Sequence, residues 1–168
     1  MKTTTIAASA LVAILIAGLA TAVVANSNHP TDDHRSASAL SCRNLTVGEK
    51  LTVSGLSGHF LNATNRHIRG NASGTFSFQV SQKYFRGCTL SITGGSFKLG
   101  STTYSVTGGS VILNRGAHSG DGMGTATVGS FLIRVSGLRG NSTSATVGAV
   151  GLDFVSGASE FLVYLDSH

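Results

Sequence analysis

Beyond residue 25 the apolar residues of this chain recur at every second position, in short runs cut by glycine, and no segment carries a helical stripe. Side chains alternate between the two faces of a strand, so a period of two marks a half-buried strand. Leu51 and Val53 alternate with Thr52 and Ser54, and Leu90 and Ile92 keep the same period. Phe76, Phe78 and Val80 alternate with Ser77 and Gln79, while Phe131, Ile133 and Val135 face away from Leu132 and Arg134. Further strands are expected over Thr125–Val128, Ala145–Phe154 and Phe161–Leu165. About eight to ten short strands at near-regular spacing predict an all-β fold, an antiparallel β-sandwich or barrel. The last of them, Phe161-Leu162-Val163-Tyr164-Leu165, is apolar on both faces and so should lie centrally or against a partner.

An internal repeat sits in the middle. Ser91-Ile92-Thr93-Gly94-Gly95-Ser96-Phe97-Lys98-Leu99 is echoed by Ser105-Val106-Thr107-Gly108-Gly109-Ser110-Val111-Ile112-Leu113. Gly-Gly between alternating runs is the chemistry of a tight hairpin, because both central residues can take positive φ. Each copy is therefore expected to be strand, turn, strand, within a meander of antiparallel strands.

The N-terminus has a different texture. Lys2 precedes an apolar run from Ile6 to Ala25, broken only by Ser9, Gly18 and Thr21, and small residues cluster at its end. This pattern predicts a secretory signal peptide over 1–25, with Ala20-Thr21-Ala22 and Val23-Val24-Ala25 as cleavage sites. The same run is long enough to serve instead as a retained membrane anchor. Residues 26–41, with Pro30, Asp32, Asp33 and His34, read as a flexible polar leader, and 42–168 as one all-β domain. The expected location is extracellular or on the cell surface.

Composition narrows the function classes. Only 11% of residues are charged, against 22 glycines and no tryptophan, and the net charge is +5. The basic residues are scattered, Arg66, Arg69, Lys83 and Arg86 being the nearest thing to a patch. No basic run interleaves with aromatics, so nucleic acid is not an expected partner. The surplus charge suits solubility, or a mild attraction to an acidic cell surface. In an exported chain the two cysteines, Cys42 and Cys88, are expected to form a disulfide. Four Asn-x-Ser/Thr sequons make Asn44, Asn62, Asn71 and Asn141 glycosylation candidates.

Catalytic chemistry finds little support. The segment Arg115–Gly124 brings together Arg115, His118, Ser119 and Asp121 among glycines. Neighbouring side chains cannot line up nucleophile, base and carboxylate, because triad members converge from separate elements. A phosphate loop would need Lys-Ser/Thr and a following helix, and a calcium loop several acids. The plain expectation is a glycine-set hairpin loop, with those four residues as ligand-contact candidates. The six histidines show no ligand spacing, so no metal or other cofactor is expected. Asp153 and Glu160 could approach each other across a hairpin, but strand acids are more often solvated than catalytic. The expected function is a non-enzymatic surface domain with a structural or interaction role, self-association with its own kind or with other surface proteins included. The second reading is a small-ligand, glycan or metal-binding module working through the Arg115–Gly124 loop.

Overall fold

The computed structural model describes residues 39–114, 116–141 and 144–167, so the expected signal peptide and most of the leader lie outside the described residues. The described residues form ten strands: β1 (Lys50–Asn62), β2 (Ile68–Tyr84), β3 (Gly87–Leu99), β4 (Thr102–Asn114) and β5 (Gly120–Ala126), followed by β6 (Gly129–Ser136), β7 (Arg139–Asn141), β8 (Ser144–Thr146), β9 (Ala149–Ser156) and β10 (Ser159–Ser167). Eight of them close into a barrel in the order β1-β10-β9-β6-β5-β4-β3-β2. Every barrel pairing is antiparallel. The meander is broken once, where the β7–β8 hairpin is inserted between β6 and β9.

Of the two architectures left open by the sequence, the barrel is the one found. Its interior is filled by the inward set of each alternating strand. Phe76, Phe97 and Phe154 are fully buried among aliphatic residues such as Leu51, Val111, Ile133 and Leu165. Phe97 meets Phe154 edge-on at 4.9 Å and Phe131 at 5.8 Å between ring centroids. Tyr104 closes the cluster, 4.7 Å from Phe154. An eight-stranded barrel is just wide enough for such side chains to fill it. On the outside of β1 to β4 stand Thr52, Gln79, Thr93, Lys98 and Thr107, half-buried or exposed. On these four strands the interior is apolar and most outward positions are polar.

The repeat departs from its expectation. Each copy lies within one uninterrupted strand, β3 or β4, and the real turn falls between them at Gly100-Ser101. Gly94-Gly95 and Gly108-Gly109 sit in mid-strand, where the register slips between Ser77 and Phe78 of β2 and between Val106 and Gly108 of β4. Gly95 and Gly109 do take positive φ, 130° and 143°, but in the service of bulges. A Cβ on Gly95 would lie 2.2 Å from the Thr75 carbonyl oxygen, and one on Gly109 2.3 Å from that of Met123. Bulges bend and twist long strands, which is what closing 13-residue strands around a narrow barrel requires.

Two further boundaries shift. The strand expected over Thr125–Val128 is instead β5, Gly120–Ala126, with Thr127-Val128 in the following turn. Its inward positions are Gly120, Gly122, Gly124 and Ala126, so no apolar alternation announces it. Phe131 fills the room that Gly124 leaves, since a Cβ there would come within 2.4 Å of its ring. The stretch Ala145–Phe154 is divided at Val147-Gly148 between β8 and β9.

One end of the barrel is capped. Ala39 bridges to Arg139, and the Leu40 amide donates to the Leu138 carbonyl at 3.1 Å. Leu40, Leu45, Leu138 and Val147 are buried there. Cys42 and Cys88 form the expected disulfide, both cysteines buried, and tie this segment to the start of β3.

Candidate functional site

The Arg115–Gly124 segment does not assemble a site around its candidate residues. Arg115 lies outside the described residues. Gly116 to Ser119 form the β4–β5 turn, opened by a bond from the Ala117 amide to the Asn114 carbonyl. His118 looks toward the cap, with Nδ1 3.3 Å from the Leu40 carbonyl oxygen and its own carbonyl accepting from the Leu138 amide. Ser119 is exposed. Asp121 stands on the outer face of β5, where its carboxylate accepts from Arg134 Nε of β6 at 2.6 Å. His118 and Asp121 therefore answer to different partners, one in the cap and one across the sheet.

The sequons differ in accessibility. Asn44 is exposed in the turn beside Cys42, and Asn71 is exposed on β2 opposite His59. Asn62 is half-buried and uses its side-chain carbonyl in a turn, accepting from the amides of Thr64 at 3.0 Å and Asn65 at 3.4 Å. The Asn141 side chain lies outside the described residues.

The register brings together a surface that is scattered in sequence. Ile68, Leu61 and Leu162 follow one another across β2, β1 and β10, and Asp153, Leu132 and Met123 continue the row across β9, β6 and β5. At roughly 4.8 Å between strands, these six positions make a belt about 24 Å long. Three of its apolar members stand in water, Ile68 69% exposed, Met123 64% and Leu132 52%, while Leu61 and Leu162 are half-buried. Val155 and Ile112 flank it, also exposed. Isolated exposed hydrophobics are ordinary, whereas a contiguous row marks an interaction surface.

Asp153 is the one acid in the row, with Leu162 and Leu132 as its direct cross-strand neighbours. Its Oδ1 is buried and has no hydrogen-bond partner among the described residues. Burial first, and then the facing Glu160 carboxylate, raise the Asp153 carboxyl above its ordinary value of 3.8. The approach of these two acids expected across the β9–β10 hairpin is thus found, beside the apolar row.

Two open grooves mark the remaining surface. One, of about 440 Å³, is lined by His59, Tyr164, Gly151 and Asp166 on β1, β9 and β10, with the His59 and Tyr164 rings stacked at 5.4 Å. The other, of about 470 Å³, lies by the disulfide between Arg43 and the β2–β3 turn. Among the described residues no three metal-ligating side chains gather. No family model matches this chain, no curated protein matches it, and no solved structure matches it.

The belt escaped the sequence because its members lie on six strands whose neighbours are set by barrel closure. Leu132 was visible as an apolar residue on the outward face of its strand, which was the available signal. Nothing in the sequence could place Ile68 and Leu61 beside it.

Proposed function

We propose that this protein is an exported, non-enzymatic surface module that associates with further copies of itself through the outer belt Ile68–Leu61–Leu162–Asp153–Leu132–Met123. The observation that carries this reading is the belt itself: five large apolar side chains in one row on a barrel whose interior is already filled. With the core packed by phenylalanines, a partner has to be met on the outside. Association through strand edges has no support, because β10 is paired on both sides, with β1 and with β9. Of its two apolar faces, one packs in the barrel through Val163 and Leu165, and the other places Leu162 in the outer belt.

Sedimentation with light scattering tests the reading. The wild-type domain should run above monomer mass at micromolar concentration. Leu132→Lys places a charge on an exposed belt position and should weaken association at least about tenfold, the order of effect expected at a packed interface position. A wild-type monomer at all accessible concentrations would end this reading.

The stacked His59–Tyr164 pair beside the notch at Gly151 favours a second reading, a binding module for small ligands or glycans. It moves that activity from the Arg115–Gly124 loop to the groove on β1, β9 and β10. Tyr164→Ala should then abolish ligand-induced shifts in an NMR titration while leaving sedimentation unchanged.

A further inference from the structure

At the capped end of the barrel the two-residue β2–β3 turn, Phe85-Arg86, forms a projecting tip. Phe85 is 82% exposed and Tyr84 41%. Arg43 and Lys83 line the groove at its base together with Cys42 and Gly87. The segments 39–48 and 83–88 hold three cations, Arg43, Lys83 and Arg86, and no carboxylate. The nearest acid in sequence, Glu49, is turned inward on its own loop, accepting from the Thr46 amide at 2.7 Å and the Thr46 hydroxyl at 3.0 Å. Val47, 62% exposed, belongs to the same loop, which is bonded to β2 through Gly48 and Val80.

The tip is built rigidly. Lys83 Nζ donates to the Leu45 carbonyl at 2.5 Å, and the disulfide joins Cys42 to the residue after Gly87. A Cβ on Gly87 would sit 2.1 Å from the Leu113 carbonyl oxygen, so β3 starts pressed against β4 and the turn stands out beyond it. Exposed aromatics with cations beside them match one kind of surface well. Aromatic side chains settle at the boundary of headgroup and acyl chain, and cations beside them are drawn to anionic headgroups.

We propose that the β2–β3 tip docks on an anionic lipid surface, with Phe85 and Tyr84 entering the interface and Arg43 and Arg86 meeting lipid phosphates. An acidic polysaccharide would draw on the same cations but leave Phe85 in water. The aromatic tip is what favours the lipid.

The chain contains no tryptophan, so Phe85→Trp makes the tip its own reporter. Vesicles of phosphatidylcholine with phosphatidylglycerol should shift the emission to the blue, and brominated acyl chains should quench it. Vesicles of phosphatidylcholine alone should do neither. In vesicle co-sedimentation, Arg43→Gln with Arg86→Gln should weaken binding about thirtyfold, the effect of two surface charges. Phe85→Ser should weaken it as well, with thermal stability unchanged, since Phe85 lies outside the core. Three results would overturn the proposal: emission indifferent to anionic vesicles, vesicle binding that none of these variants alters, or binding to heparin without binding to vesicles. Complete glycosylation of Asn44 in the native protein would also overturn it, because a glycan beside Arg43 would hold the tip off the surface.

Discussion

Glycine in this chain is a packing residue as much as a turn residue, and Gly124 shows it most directly. Its missing side chain is the space occupied by the Phe131 ring, and Phe131 in turn leans on Phe97 and Phe76. Gly124→Ala should force that ring aside and destabilise the barrel by about 1–3 kcal/mol, the usual range for overpacking a tight core. Chemical denaturation with an unchanged slope would measure it, and a neutral substitution would show that the ring has room to move. Asp153 makes a different residue-scale prediction. Its folded carboxyl binds its proton more tightly than in the unfolded chain, so this group's contribution to stability is full below 3.8 and is lost as pH rises through the raised value. Leu132 and Leu162 flank the group, Glu160 faces it, and Arg134 on β6 is engaged by Asp121. Asp153→Asn should therefore flatten the thermal-midpoint profile over this range and raise the midpoint at neutral pH. An unchanged profile would mean that the carboxyl titrates as if in water.

Among the elements, what the sequence showed and what it hid follow one rule. Strands whose inward residues are large, such as Phe76-Ser77-Phe78 and Phe131 to Val135, were legible because period-two alternation survives in composition. Strand β5 was hidden because its inward positions are Gly120, Gly122 and Gly124, so that its apolar face belongs to a neighbour's ring. The Gly-Gly pairs were misleading for a related reason: a positive φ serves a bulge as well as a hairpin, and which it serves depends on the length of strand needed to close the barrel. The disulfide was legible from two cysteines behind a sequence that reads as an export signal. It joins residues 46 apart and fastens the capping segment to β3. Replacing Cys42 and Cys88 together by Ala should cost about 4 kcal/mol on the chain-entropy model for a loop of this length. The barrel strands are held by their own ladders and core, so the double variant should keep its β-sheet circular dichroism while its denaturation midpoint falls. Loss of the sheet signal would mean that the cap is part of the barrel's folding core.

For the molecule as a whole, curvature decides what self-association can look like. The belt runs over β2, β1, β10, β9, β6 and β5, which is five of the eight strand-to-strand steps around the barrel. A face that turns through more than half a circumference cannot be covered by one neighbour, because two convex barrels meet over only two or three strands. Its ends, Ile68 and Leu61 on one side and Leu132 and Met123 on the other, point in divergent directions and invite two different neighbours. Contacts of that kind are heterologous and build rings or filaments, where a single shared patch would stop at a dimer. Ile68→Lys and Met123→Lys change exposed positions at opposite ends of the belt, so each should fold normally and block one side only. Alone, each variant should then remain monomeric, since every contact needs one intact end from each copy. Mixed in equal amounts, they should form a one-to-one dimer and nothing larger, each lending the end that the other lacks. A mixture that stays monomeric, or single variants that still dimerise, would show that the copies meet through one shared patch or through some other face of the barrel.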